Sequence, residues 1–555
     1  ASNWRCEMSL QPSDDFAIPE QTAQIAHAAF PNGNLCMATR DVLGIVFRDE
    51  QFAGLYPQRG QPAEAPWRLA WITLMRFAEN LTDRQAADAV RGRLDWKYAL
   101  GLALTDPGFH YSALCEFRER LIVGQAEHLL LETLLKRFQT RGWLKERSRQ
   151  RTDSTHILAA VRKPNRVELV GETLYHALDV LAQVAPDWLK AQAQPEWFAR
   201  YSQRPIGFRL PRSEAEQLAL AEQLGRDGCQ LLSQVWSTAA PDCLRCVPAV
   251  ETRRRIWVQN FYLAEERLHW RDETNYPPSS QAILSPYDEE VRFASKRDTR
   301  WHGYKVHLTE TCEPDSPNLI THVETTPATE QDNMVVEQVH AALQEQGLLP
   351  SQHLVDAGYP SADLLVSSRD KYGVDLLGPT RPDVSWQSQD PQAFGITQFQ
   401  IDRDAEVVTC PMGNTSLCWY PDQGPRGKPT IQVHFGKQDC LACTSRARCT
   451  KSAVTPRGLT LQPKAQQLAL QAARHRQTTP EFKETYALRA GIEGTIGQAV
   501  DKLAMRRSRY RGLTKTHFQH VATAAAINIQ RVLARLADVP RSTTCVSHFA
   551  ALAPA

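Results

Sequence analysis

The sequence has almost no net charge, no long apolar run and no regular cysteine framework, and each shortage excludes a class of protein. Its 64 Lys and Arg nearly balance 62 Asp and Glu, so the formal charge of +2 says nothing about nucleic acid on average. No stretch approaches the roughly 18 consecutive apolar residues that a membrane span needs, and the longest candidate, around Ala522–Ile529, is short and alanine-rich. No membrane partner is expected. Thirteen cysteines in 555 residues are an odd count at low density, which argues against a secreted disulfide scaffold. Residues Ala1–Leu10 lack a basic-then-apolar signal pattern, so the expected location is the cytoplasm. Ser154 has no G-x-S-x-G setting, the histidines match no HExxH spacing, and no glycine-rich phosphate loop occurs between 163 and 271. With 42% apolar and 23% charged residues, what is there is a globular chain of three to four domains.

The distribution of charge is more informative than its sum. Lys136–Arg151 holds seven basic residues against Glu146 alone, and Lys502–Lys515 holds six with no acidic residue. One such run is as readily a solvated helix face. Two, each beside a candidate catalytic carboxylate, point to a phosphate backbone as partner. The first domain-sized segment has helical periodicity: Ala70, Ile72, Leu74, Phe77 and Leu81 form an apolar stripe, and Thr82 with Gln85 forms a capping box. The turn at Asp106-Pro107-Gly108 and the helix through Leu114, Phe117 and Leu121 fit a helix-turn-helix-like module and equally a small bundle.

A strand at Arg151–Ile157 is followed by helical stretches at Leu174–Ala185, Glu214–Val235 and Arg253–Leu268. Strands at Gly303–Leu308 and Leu319–Val323, a helix at Asn333–Gln346, and a strand His353–Val355 then complete an α/β core with a further helix (362–371) and strand (374–377). Three carboxylates stand where phosphodiester chemistry on paired divalent metals would need them. Asp153 lies on the first core strand, Asp356 ends a strand before Gly358, and Glu493 shares a helix face with Tyr486 and Arg489 at spacings of three and four. Acidic order alone carries no weight among 62 acidic residues, and Arg489–Glu493 by itself fits a plain surface pair.

Context adds the weight. Asp153-Ser154-Thr155, Asp356-Ala357-Gly358-Tyr359 and Tyr486-x2-Arg489-x3-Glu493 resemble the three catalytic regions of bacterial insertion-sequence transposases of the DDE class. Gly303-Tyr304-Lys305, Thr326–Asp332, Glu493–Ile496 and Arg506–Leu513 fit the same pattern in order, and the helical region Leu81–Leu121 resembles the domain that precedes that core. The resemblance spans roughly residues 40–535. It implies an RNase H-like mixed sheet flanked by helices, with Asp153, Asp356 and Glu493 holding two Mg²⁺ ions (Mn²⁺ able to substitute) for cleavage at element ends and transfer of the freed 3′-hydroxyls to target DNA. It further implies terminal inverted repeats and target duplex as partners, a homodimer in the DNA complex, a nucleoid-associated location, and Tyr486 and Arg489 positioning a phosphate. Arg300, Lys305, Lys502, Arg506, Arg507, Arg509, Arg511 and Lys515 are the further candidate DNA contacts. The related signature often carries a lysine seven residues after the glutamate, where this chain has Val500. Lys502 falls near the opposite helix face, and Arg507 returns to the glutamate's face only if the helix is continuous. Two other readings share these residues: a DNA-binding protein without cleavage, and a nuclease that cuts without joining.

Cys440-x2-Cys443-x5-Cys449, with Cys410 upstream, supplies four thiolates for a tetrahedral structural Zn²⁺, with Cys418 as a spare. The surrounding Pro-rich segment is expected to lack a core of its own, which a metal would replace. The expected organisation is therefore an N-terminal arm (1–39), a helical DNA-binding domain (40–140), a first core portion (141–379) with a helical insertion at about 163–271, a cysteine-rich insertion (380–470), a last core portion with basic helices (471–540) and a tail (541–555).

Overall fold

The computed structural model describes residues 8–10, 12, 16–204, 210–211, 213–424 and 427–540; the tail 541–555 lies outside the described residues. Six strands build the central mixed sheet: β1 (Gln150–Leu158), β2 (Arg292–Lys296), β3 (Thr299–Thr311), β4 (Ile320–Pro327), β5 (Gln352–Val355) and β6 (Asp375–Leu377). Their order is β6-β5-β1-β3, and the far edge of β3 is shared by β2 along its first half and β4 along its second. β6, β5 and β1 run parallel, whereas β3 is antiparallel to β1, β2 and β4. Continuous burial along β3 fits a central strand covered on both faces.

Within the segment expected to be an arm, helices form at Glu20–Ala29 and Leu35–Leu43. The second begins where the Asn34 side chain accepts from the Met37 N–H at 3.1 Å, and Ala26 and Met37 pack with Tyr98. The helix Asp83–Gly92 starts at Thr82 as its capping box requires: the hydroxyl accepts from Gln85 N (3.2 Å) and the Gln85 side chain accepts from Thr82 N (2.9 Å). Pro66–Ala78 is buried on almost every side because it packs between its neighbours and the C-terminal helix Leu513–Leu536. The N-terminal helices, the sheet and that last helix therefore share one hydrophobic core.

The insertion after β1 closes on a core of its own around Leu174, Leu181, Leu231, Ile256 and Trp257. Helices at Arg166–Val184 and Glu214–Val235 match the sequence pattern, but the expected helix Arg253–Leu268 does not run through. Pro248–Asn260 is helical and then a hairpin forms, Phe261–Ala264 against Arg267–Trp270. Its cause is local alternation. Phe261 and Trp270 meet edge-on at 5.0 Å on the inner face, Tyr262 and His269 stack on the outer face, and Glu265 and Glu266 turn with positive φ.

The helical run of the C-terminal region is also interrupted. Helices Pro480–Ala487 and Gly491–Gly497 are joined by a tight turn at Leu488–Ala490, and a wider turn at Gln498–Lys502 ends the run. Arg507 then bridges to Leu158 at the end of β1, so it does not lie on the glutamate's helix. The cysteine-rich segment, expected to be coreless, carries a three-stranded sheet of β9 (Ser416–Gln423), β10 (Pro429–Phe435) and β11 (Gly458–Leu461), beside the small pair β7 (Gln400–Asp402) and β8 (Val407–Thr409). Phe394, Phe399, Val408, Val433, Phe435, Leu459 and Leu461 form its buried centre.

Candidate active site

The parallel register of β1 and β5 pairs Thr152 with Val355, so the next residues, Asp153 on β1 and Asp356 just past β5, stand side by side. Asp356 is the first residue past β5. Its Oδ1 accepts from the Gly358 N–H at 2.8 Å, folding the chain into a short Asx turn. A Cβ at Gly358 would stand 3.0 Å from both Asp356 Oδ1 and Asp332 Oδ2, a tight approach that either carboxylate would have to relieve by shifting. Asp153 is 8% exposed, and burial raises its carboxyl from the usual value to about 6; Arg489 and the Ser154 N–H act against that rise and Asp356 adds to it.

Glu493 enters from Gly491–Gly497 with a side chain 66% exposed. Arg489, one turn earlier, links it to the sheet: Nη1 donates to Glu493 Oε1 at 3.1 Å while Nη2 donates to Asp153 Oδ2. Tyr486 lies over Phe482 with ring centres 5.4 Å apart and planes within 12°, and burial raises its phenol above the usual range. The three sequence-predicted carboxylates thus converge on one region with Arg489 between two of them. Among the described residues no group of three or more His, Cys, Asp or Glu adopts a metal-ligand arrangement. Arg489 occupies the space between Asp153 and Glu493 that shared ligation would require, although the donor set itself, clustered carboxylate oxygen, suits a hard divalent cation.

Two features of the site had no role assigned from the sequence. Asp332 accepts from Lys305 Nζ at 2.7 Å and approaches Ser154 Oγ at 3.3 Å; burial acts to raise it, but Lys305 outweighs this and holds it below the usual carboxylate range. Glu310, fully buried on β3, accepts from Arg151 Nε (2.8 Å), Thr495 Oγ1 (2.6 Å) and Arg531 Nη1 (2.7 Å). Arg151 also donates to Leu488 O, and a Cβ on Gly491 would collide with its guanidinium. The helix carrying Glu493 is therefore bolted to the strand carrying Asp153 through a buried ionic network.

In the small β unit, Cys410, Cys440, Cys443 and Cys449 line one cavity of about 30 Å³, whereas Cys418 is exposed on β9. Burial raises the Cys449 thiol, the other three sulfurs add to the rise, and Arg457 opposes it. Arg446, which lies between these cysteines in sequence, donates to Ser452 O and Thr455 O.

Two family models match the chain. Residues 25–120 match a model described as Transposase domain (DUF772), and residues 409–533 match one described as Transposase DDE domain. The second contains Glu493 and the four cysteines; the first contains the capped helices before the sheet. Together the two matches indicate an insertion-sequence DDE transposase. No curated protein matches it. A transposase DDE domain suggests DNA cleavage and implies a general dependence on divalent metal. No helix among its described residues is long and apolar enough to cross a membrane.

The basic residues of the transposase divide by what they touch. Arg506 donates to Thr155 Oγ1 and His156 O, Arg509 to Leu81 O and Asn80, and Lys515 pairs with Glu119 at 2.9 Å. Arg511 covers the Tyr287 ring. Lys305 is held by Asp332, while Arg300, Lys502 and Arg507 are exposed. Trp301 and Tyr304, adjacent to these cations, are buried, with the Tyr304 hydroxyl on Asp288 at 2.6 Å.

Proposed function

We propose that the chain binds the terminal inverted repeats of its element, cuts the DNA there and joins the freed 3′-hydroxyls to target DNA, as a homodimer that holds two ends. One observation carries this reading: Asp153 on β1 and Asp356 just past the end of its parallel neighbour β5 stand side by side, and Arg489 ties Glu493 to the first of them. The strand order β6-β5-β1-β3-β4, with an acidic residue on the central strand and another at the end of its parallel neighbour, supports an RNase H-like core. Asp153, Asp356 and Glu493 would hold two Mg²⁺ ions, which supply activation of the attacking oxygen and charge neutralisation at the phosphate.

The chain's own residues prepare that site. In the free protein Arg489 neutralises Asp153 and Glu493; with DNA bound, its guanidinium exchanges a carboxylate for a phosphate oxygen, a bidentate geometry that arginine suits. Tyr486, stiffened by Phe482, fixes the approach of the strand, and the Glu310 network keeps Glu493 in register with Asp153. Lys502 and Arg507, both exposed, offer their cations to the duplex beyond the site. The four cysteines around one cavity support a structural Zn²⁺ in the β unit.

Cleavage of duplex DNA carrying the element's own ends, followed across a Mg²⁺ titration, tests the reading. The native chain cuts with a saturable Mg²⁺ dependence, and Asp356→Asn binds the same DNA without cutting. Cutting without any joined product would favour a nuclease, and binding by the native chain with no cutting at all would favour a DNA-binding module.

A further inference from the structure

A cavity of about 430 Å³ opens beside Gly358, immediately next to Asp356, between the β2–β3 hairpin and the loop Thr329–Asn333. Its walls include Lys296, Lys305 and Arg381, with Glu330 and Asp332 as the acidic members. Asp332 is already neutralised by Lys305, both groups being largely buried, so that pair acts as a fixed wall. Lys296 and Arg381 are different. Both are exposed, neither guanidinium nor ammonium has an ion-pair partner among the described residues, and Lys296 is close enough to Asp153 and Asp332 to lower both carboxyls. Arg297 and Arg300, at the tip of the same hairpin, are likewise exposed and unpaired among the described residues. Several cations of the basic runs are consumed internally: Arg151 by Glu310, Arg509 by the Leu81 carbonyl, Lys515 by Glu119. A row of unspent positive charge therefore leads away from the carboxylates along one hairpin.

We propose that this cavity and hairpin form a backbone track for the DNA strand next to the cut, with Lys296 and Arg381 gripping the phosphates on either side of the cavity and Arg297 and Arg300 continuing the grip outward. The volume is that of a nucleotide-sized cleft, and its free charge is opposite to a phosphodiester's. Gly358 leaves the passage between the cavity and Asp356 open, so a strand lying in the track presents its next phosphate to the carboxylates. Lys305–Asp332, being internally satisfied, shapes the wall without adding net charge. The proposal rests on the cleavage site described above.

The test uses the full-length protein and a duplex carrying the element's end, with single neutral methylphosphonates placed in turn at the phosphates flanking the cut. Binding is measured in EDTA over a salt series. Lys296→Ala/Arg381→Ala is expected to lower the slope of log affinity against log salt by about 0.9 for each phosphate that the variant no longer neutralises. Methylphosphonates at one or two positions should weaken the native protein and leave the double variant unaffected. A second series with methylphosphonates in the target duplex during joining tells whether donor or target strand fills the track. Because both side chains are exposed and unpaired, an unchanged thermal transition verifies that the variant is folded. An unchanged salt slope, or a methylphosphonate penalty equal in both proteins, overturns the proposal. Disabling the track leaves Glu493-dependent cutting of an unmodified end measurable, so its failure is distinct from failure of the active site.

Discussion

At the scale of single residues, the site is held in a state of unresolved charge. Burial raises Asp153 to about 6 although Arg489 stands against it, so the folded protein without metal binds a proton there more tightly than the unfolded chain does. The stabilisation from that protonated carboxyl is present below about pH 4 and is lost as pH rises through about 6. The difference corresponds to at most about 3 kcal/mol. Asp153→Asn should therefore stabilise the metal-free core above pH 6 while abolishing cleavage. Urea unfolding of both proteins at pH 4.5 and 7.5 measures it: a gain confined to the higher pH is expected, and an equal effect at both would contradict it. Asp153, Asp356, Arg489 and Glu493 were picked out in the sequence through short motifs that resemble the family's catalytic regions, since spacing alone left Arg489–Glu493 a plain surface pair. The roles of Asp332 and Glu310 were not, although Asp332 closes the Thr326–Asp332 segment of the same resemblance. Glu310 meets Arg151 159 positions away, and a lone carboxylate in a strand gives no sign of a partner that distant.

Elements show where local pattern and tertiary context part. Thr82 and Gln85 announce the start of their helix because the cap is made entirely within four residues. The hairpin at 261–270 is hidden because its alternation is only four residues long and follows a true helix without a glycine or proline break. Helix Gly491–Gly497 is short and exposes Glu493, so its position depends on what pins it rather than on its own propensity. Glu310→Ala would leave Arg151 buried without its carboxylate, a loss of about 3–5 kcal/mol. Glu310→Gln keeps the shape and should fold, yet raise the Mg²⁺ concentration for half-maximal cleavage without changing DNA affinity. Unchanged metal dependence in Glu310→Gln would show that the network does not position Glu493. The β unit makes a parallel case: its seven-residue apolar centre is small, and removal of Zn²⁺ or Cys443→Ser should open residues 394–461 to protease while the central sheet stays protected. Metal analysis of the native protein should give one zinc per chain, and its absence would leave the cysteines as ordinary thiols.

Across the whole molecule, the basic segment Arg506–Lys515 is a joint as well as a charged surface. Tyr510 receives Arg76 at 2.7 Å and Arg118 at 3.1 Å, Asp83 pairs with both arginines, and Arg509 caps the Leu81 carbonyl. These contacts fasten the N-terminal helical region to the core across more than 390 residues of sequence. Composition alone could not tell this role from DNA contact, since a run of arginines looks the same whichever acceptor it meets. Tyr510→Ala should loosen that joint: early proteolysis between the helical region and β1 is expected, with the core's own transition little changed. On the proposed function, a DNA end gripped by the helical region would be held at a fixed distance from Asp153.

The central claim is that Asp153, Asp356 and Glu493 act as one site for cutting and joining DNA. Its most direct test compares the native chain with Glu493→Gln on DNA carrying the element's ends, in Mg²⁺, with DNA binding measured alongside. Mg²⁺-dependent joined product from the native chain, none from the variant, and equal binding by both is the predicted result. Joined product from Glu493→Gln would contradict the account.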